Sequence, residues 1–314
     1  MPAEEIKQVS SLKKWVIAAR PWALPASTMP VLFGTSLAWV IAGAHVHAGR
    51  FLLALLAMVV LHSAANMLSD VFDAHRGLDR DVTPVSGAIA RGWLTGRQVA
   101  IGSILLFIIG SALGLALVLM TGRVLLIIGG LGVLIGVSYT FLKYRALGDL
   151  AVFLNFGLLG SLGAWVVQTG SFSWLPVIWA VPQAALVIAI LHANNWRDTV
   201  TDKERKVTTV ASLLGDKGSL FYYGFLLFGS MTYIFALILL LRILPGRLTA
   251  MPLTFLLVVL ALPKALDLWG RARRRHAPRR PMDFIILDGA TSQYNLVFGV
   301  LCILAVWLRF ALTR

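Results

Sequence analysis

Apolar residues run along this chain in long blocks, without the alternation of a half-buried strand or the 3.6-residue stripe of a surface helix. Nine blocks are legible, near 22–42, 51–74, 98–120, 123–142, 148–169, 174–196, 217–241, 249–268 and 290–312. Each is about 18 to 25 residues long, the length that crosses bilayer hydrocarbon as an α-helix. Helices are expected because lipid offers backbone amides no partners. The pattern predicts an all-α, polytopic membrane protein of about nine transmembrane helices, with a single domain over residues 1–314. Pro21, Pro25 and Pro30 predict a kinked or broken first helix. Gly110, Gly114, Gly132, Gly136, Gly160 and Gly163 are expected to let helices pack closely.

Composition sharpens this picture. The chain is 58% hydrophobic and only 13% charged, about half the charge usual in a soluble domain. A net charge of +14 would point to nucleic acid in a soluble protein. Here the cations follow the spans instead, so no nucleic-acid partner is expected. Of the 28 Lys and Arg, 22 lie before the first span or in the connections near 75–97, 143–147, 197–217 and 264–289. The positive-inside rule then puts the N-terminus and these connections in the cytoplasm and the C-terminus outside, as expected in a cell (inner) membrane. Lys7, Lys13, Lys14 and Arg20 mimic a signal peptide, but prolines interrupt the stretch and many spans follow, so a retained helix is expected. The segment RARRRHAPRR (271–280) reads as an anchor at anionic headgroups. The one cysteine, Cys302, excludes an intramolecular disulfide.

Two acidic stretches break the apolar pattern. Span two ends in NMLSDVFDAHRGLD (66–79) and span six in HANNWRDTVTDKERKVTT (192–209). Each has Ala-Asn with an Asp four residues after the Asn: Asn66 with Asp70, Asn194 with Asp198. Asp73 and Asp202 follow one turn later, so each pair is expected on one helix face. The sets lie 128 residues apart and suggest a duplicated four-helix unit. Two Asp pairs with Asn neighbours make a hard, oxygen-rich donor set suited to Mg²⁺, with Asp70, Asp73, Asp198 and Asp202 as ligands. Lys143, Arg145, Arg197, Lys203, Arg205 and Lys206 fall on the same side. Carboxylates, Mg²⁺ and cations around one pocket are the parts that bind a diphosphate. A membrane pocket beside them would accept a lipid tail. Asp79 is a candidate further ligand and Asn155 a candidate pocket residue, while His62 and His192 receive no role.

These stretches, with SYTFLKYRALGDLAVFLNFG (138–157) and NNWRDTVTDKERKVTTVASLLG (194–215), resemble the UbiA superfamily of intramembrane aromatic prenyltransferases over most of the chain. The opening AARPWALPASTMPVLFGTSLA (18–38) is similar to the start of the 1,4-dihydroxy-2-naphthoate polyprenyltransferases of menaquinone synthesis. The resemblance implies nine helices around a central lipid-facing cavity, with two Asp-rich motifs holding Mg²⁺ and a prenyl diphosphate. It implies Asn66, Asp70 and Asp73 as the first motif, and Asn194, Asp198 and Asp202 as the second. By this resemblance Tyr139, Lys143 and Arg145 match the family's basic stretch after helix four, and Lys206 the Lys that follows its second motif. The first motif departs from many relatives, its acids spaced three positions apart rather than four, with Ala74 at the fourth place. The segment TPVSGAIARG (83–92) stands where naphthoate enzymes often carry an Arg-rich Gly-Pro run, which leaves 4-hydroxybenzoate open as an acceptor.

The expected reaction follows. Mg²⁺, Lys143 and Lys206 stabilise the departing diphosphate, Tyr139 or Phe153 faces the allylic cation, and an activated aromatic ring attacks it. A transporter also fits intramembrane acids and a repeat, although its site would lie near the midplane rather than at helix ends. A CDP-alcohol phosphotransferase is set aside, because Asp288-Gly289 is followed by ATSQ and not by that family's Ala-Arg.

Overall fold

The computed structural model describes residues 9–78, 82, 86–243, 250–275 and 284–313. Asp79 lies outside the described residues, as do parts of the 83–92 and 271–280 segments. In chain order the helices are α1 (Ser11–Ala18), α2 (Pro25–Val40), α3 (Ala48–His75), α4 (Gly96–Thr121), α5 (Arg123–Lys143), α6 (Gly148–Thr169), α7 (Trp174–Arg197), α8 (Thr199–Glu204), α9 (Val210–Ile243), α10 (Leu253–Arg273) and α11 (Leu287–Thr313). Eight of them are long and apolar enough to span a membrane alone; α1 and α2 together make a ninth span, bent by 59°. The nine predicted blocks thus appear as helices among the described residues.

The bend has a local cause. Arg20 adopts a left-handed backbone (φ 53°), and Pro21 opens a 3₁₀ turn, Pro21–Ala23, before Pro25 starts α2. Pro30, in contrast, stays inside α2. Its carbonyl accepts a hydrogen bond from Ser161 of α6 at 3.1 Å, so the neighbouring helix uses that acceptor. The same two helices nearly touch at Gly34: a Cβ there would lie 2.1 Å from the Ser161 carbonyl oxygen.

Helix α6 contains a π-helical stretch, Phe153–Leu159. The wider turn rotates the helix and brings Asn155 and Phe156 to the cavity walls. A parallel bridge between Arg145 and Thr208 ties the α5–α6 connection to the loop after α8. In it, the Ala146 amide donates to the Thr208 carbonyl (2.7 Å) and the Thr208 amide to that of Tyr144 (3.2 Å). The end of α5 is thereby held against the second acidic motif.

Candidate active site

Helices α3 and α7 carry the two acidic stretches, and their ends meet around α5. Asp73 is buried and accepts from Tyr144 Oη at 2.8 Å, Lys143 Nζ at 3.2 and 3.4 Å, and Ser69 Oγ at 3.3 Å. The charge of Lys143 also acts on Asp202 of α8. One ammonium therefore bridges the two motifs electrostatically. Burial raises the Asp202 carboxyl to about 7; Lys143 opposes this, while Asp198 and Asp73 add to it. Burial and the neighbouring Asp73 raise the Tyr144 phenol as well.

Asp70 is fully buried, and one oxygen accepts from Arg20 Nη2 at 2.6 Å. Its Oδ2 is buried without a hydrogen-bond partner among the described residues. Gly87 presses against this carboxylate so closely that a Cβ would lie 2.2 Å from Oδ2. Any side chain there would displace the acid. Asn66 donates to the Ala19 carbonyl at 3.2 Å, tying α3 to the segment that presents Arg20.

The second motif is built differently from the expectation of one shared helix face. The helix breaks at Asp198, between α7 and α8. Asp198 is consequently 41% exposed, whereas Asp202 is buried. Arg197 clamps Asp198 through two bonds of 2.9 Å and reaches Asp288 of α11 with Nη1 at 3.1 Å. Asn194 donates to the same Asp288 oxygen at 3.2 Å. Arg275 secures this corner, bonding the Trp196 carbonyl and Thr199 Oγ1 (3.0 Å) and pairing with Asp216 (3.3 Å).

These groups surround a cavity of about 100 Å³ lined at its polar end by Arg20, Asn66, Ser69, Lys143, Asn194 and Asp288, with Tyr139, Phe156 and His62 further along. A second, apolar chamber of about 400 Å³ abuts it at Ala65 and Phe156 and is lined by α3, α4, α5 and α6. All six glycines assigned to close packing line this chamber. Gly110 does touch Leu61, but Gly114 faces open space, where a Cβ would meet nothing within 4 Å. The missing side chains therefore create volume as well as proximity, which corrects the packing-only expectation. Asn155 lines the same chamber.

Of the expected site residues, Asn66, Tyr139, Lys143 and Asn194 line the polar cavity; Asp70, Asp73, Asp198, Asp202 and Arg197 stand behind that wall, joined to it through Arg20, Lys143 and Asp288, and Arg145 and Lys206 lie outside it. Arg145 is exposed, its guanidinium 3.9 Å over the Phe141 ring. Lys206 is exposed in a left-handed backbone (φ 56°). Arg20, Ser69 and Asp288 are cavity residues that sequence reasoning missed. A buried acid opening the last apolar block was the available signal for Asp288. Arg20, Ala146 and Lys206 are the non-glycine residues with positive φ among those described, and all three flank the site. Such strain, about 1–3 kcal/mol each, collects where function demands geometry.

Among the described residues, no three acidic, imidazole or thiol groups form a ready-made metal cage. The donors fit a hard cation that shares its coordination with a phosphate ligand and water, as Mg²⁺ does. The unpartnered oxygen of Asp70 and the exposed carboxylate of Asp198 are available for that role.

The chain is similar to known proteins in sequence and in fold. The family model described as the UbiA prenyltransferase family matches residues 27–287. The UbiA prenyltransferase domain-containing protein 1 homolog of Drosophila melanogaster is 30% identical over 308 residues, covering 94% of this chain and 79% of that protein. The 1,4-dihydroxy-2-naphthoate octaprenyltransferase of Escherichia coli (strain K12) is 30% identical over 242 residues, 72% of this chain and 76% of that protein. A solved structure of a UbiA homolog from Archaeoglobus fulgidus bound to GPP and Mg²⁺ has the same fold, with a TM-score of 0.62 at 15% identity, covering 92% of this chain and 99% of that one. Matched by the family model over most of its length, and by a relative 30% identical across 94% of the chain, it belongs to the UbiA prenyltransferase family and is an integral membrane prenyltransferase.

Proposed function

We propose that the protein transfers the prenyl group of an allylic prenyl diphosphate to 1,4-dihydroxy-2-naphthoate in quinone biosynthesis, with Mg²⁺ held by Asp70, Asp73, Asp198 and Asp202. The observation that carries this reading is the joined pair of cavities: Arg20, Lys143 and Asp288 at one end, backed by the two Asp motifs, and an apolar chamber of about 400 Å³ at the other. A diphosphate with a hydrocarbon tail has that polarity. Similarity to the Escherichia coli octaprenyltransferase favours the naphthoate acceptor. The cation distribution favours a site on the cytoplasmic side of the cell (inner) membrane, with the C-terminus outside.

Mg²⁺, when bound, supplies positive charge to the leaving diphosphate. Lys143 and Arg20 present their own charges at the polar end of the cavity, where negative charge develops as the C–O bond breaks. Tyr139 and Phe156 offer aromatic faces to the allylic cation, worth about 1–2 kcal/mol. The apolar walls keep water from the cation, so it survives to meet the ring. Asp288, steadied by Asn194, holds Arg197, which in turn orients Asp198.

The test is direct. Purified protein receives labelled prenyl diphosphate and a panel of hydroxylated aromatic acids, and products are identified by mass. The expected product is the prenylated, decarboxylated naphthoquinol, lost with EDTA and restored by Mg²⁺. Asp70→Ala and Asp198→Ala should be folded and inactive. Transfer to none of the acids, or full activity in either variant, would refute the proposal.

A further inference from the structure

We propose that His62 accepts the hydroxyl proton of the aromatic substrate; this rests on the transfer reaction proposed above. His62 lies on α3 eight residues before Asp70, about 12 Å along the helix axis. It is buried, yet it lines the polar cavity beside Tyr139 and Phe156. Its ring leans on Phe156, with centroids 4.4 Å apart. That position is deeper than the carboxylates, on the side toward which a prenyl carbon would extend from a diphosphate held at the cavity's polar end. An aromatic acceptor has to lie there to reach it.

The hydrogen bonds around His62 accommodate the tautomer that this step needs. Nδ1 is 2.8 Å from Ser27 Oγ. Ser27 Oγ donates to the Leu24 carbonyl at 3.1 Å. In the tautomer with hydrogen on Nδ1, Ser27 accepts from Nδ1–H while donating to Leu24, and Nε2 on the opposite edge keeps its lone pair. No described protein atom hydrogen-bonds to Nε2. The other charged groups on the cavity wall are already committed: Lys143 to Asp73, Arg20 to Asp70, and Asp288 to Arg197 and Asn194. Tyr139 carries a phenol, which is no base at neutral pH. His62 is the wall residue with a basic lone pair to spare.

The step balances. The substrate O–H bond breaks, its proton goes to Nε2, and its electron pair forms the ring C=O. A ring π pair makes the bond to the prenyl carbon, while the C–O pair leaves with the diphosphate. The substituted ring carbon then sheds its proton to the diphosphate, or sheds CO₂ where it carries a carboxylate, and that bond pair returns to the ring. The imidazolium hands its proton back to the ring oxygen, which restores both the aromatic ring and neutral His62.

The experiment compares full-length wild type, His62→Ala and His62→Gln, measuring diphosphate release and prenylated product in the same Mg²⁺-containing reaction. In both variants transfer should fall by about 100-fold or more, while diphosphate release continues and water captures the prenyl group as an alcohol. Added imidazole should restore transfer in His62→Ala and not in His62→Gln. Transfer within threefold of wild type in either variant overturns the assignment. So does a parallel fall of release and transfer without imidazole rescue, which is the signature of a packing role. His62→Gln keeps the side-chain volume and decides the matter if His62→Ala does not fold. Absence of transfer in the wild type overturns the underlying reaction instead, and the His62 role with it.

Discussion

Lys143→Met probes the pair at the centre of the site. Lys143 and Asp73 are 11% and 7% exposed and 3.2 Å apart, so solvent screens their interaction little. Removing one member of such a pair strands the other charge, at a cost of about 3–5 kcal/mol. Tyr144 and Ser69 still donate to Asp73, which argues for the lower end, about 3 kcal/mol. At about 2–4 °C per kcal/mol, the melting temperature should fall by roughly 6 to 12 °C. The double variant Asp73→Asn/Lys143→Met removes both charges and leaves Tyr144 an acceptor. Its stability should return to within about 1 kcal/mol of wild type. Activity should behave differently, falling about 10²–10³-fold in the single variant and staying lost in the double. Thermal unfolding in one detergent, alongside diphosphate release, reads both quantities. A double variant as unstable as the single, or a single variant within threefold of wild-type turnover, would refute the assignment of this pair.

Other expectations follow from neighbouring features. Gly129 lines the apolar chamber and a Cβ there meets nothing within 4 Å. Gly129→Leu should therefore keep the fold while shifting preference toward shorter prenyl diphosphates, read by competition and mass. Asp202 has a carboxyl raised to about 7 in the fold, so the folded state holds a proton that the unfolded chain has already lost between about pH 4 and 7. Metal-free stability should fall as pH rises across that window and level off above it, and Asp202→Asn should flatten the slope in thermal unfolding curves. Asp288→Asn weakens the anchor of Arg197 and Asn194 and should lower transfer by about 10–100-fold without unfolding the protein; unchanged kcat would exclude a positioning role.

The apolar blocks determined by themselves that this chain forms membrane-spanning helices, how many there are and roughly where they end. Hydrocarbon leaves an apolar block longer than 18 residues with one way to satisfy its backbone. The acids were legible for the same reason, since charge at a span end is costly without a partner. The partners themselves were not legible. Arg20 meets Asp70, Lys143 meets Asp73, and Arg197 meets Asp288 across 50, 70 and 91 positions of sequence. Each pairing depends on how neighbouring helices are rotated and how deep they sit, and local periodicity carries no record of that. The glycines show the same division. Their small size can be read from the sequence, but whether it admits a neighbouring helix, as at Gly34, or leaves a chamber open, as at Gly114, depends on what stands opposite. Only the packed tertiary structure decides that.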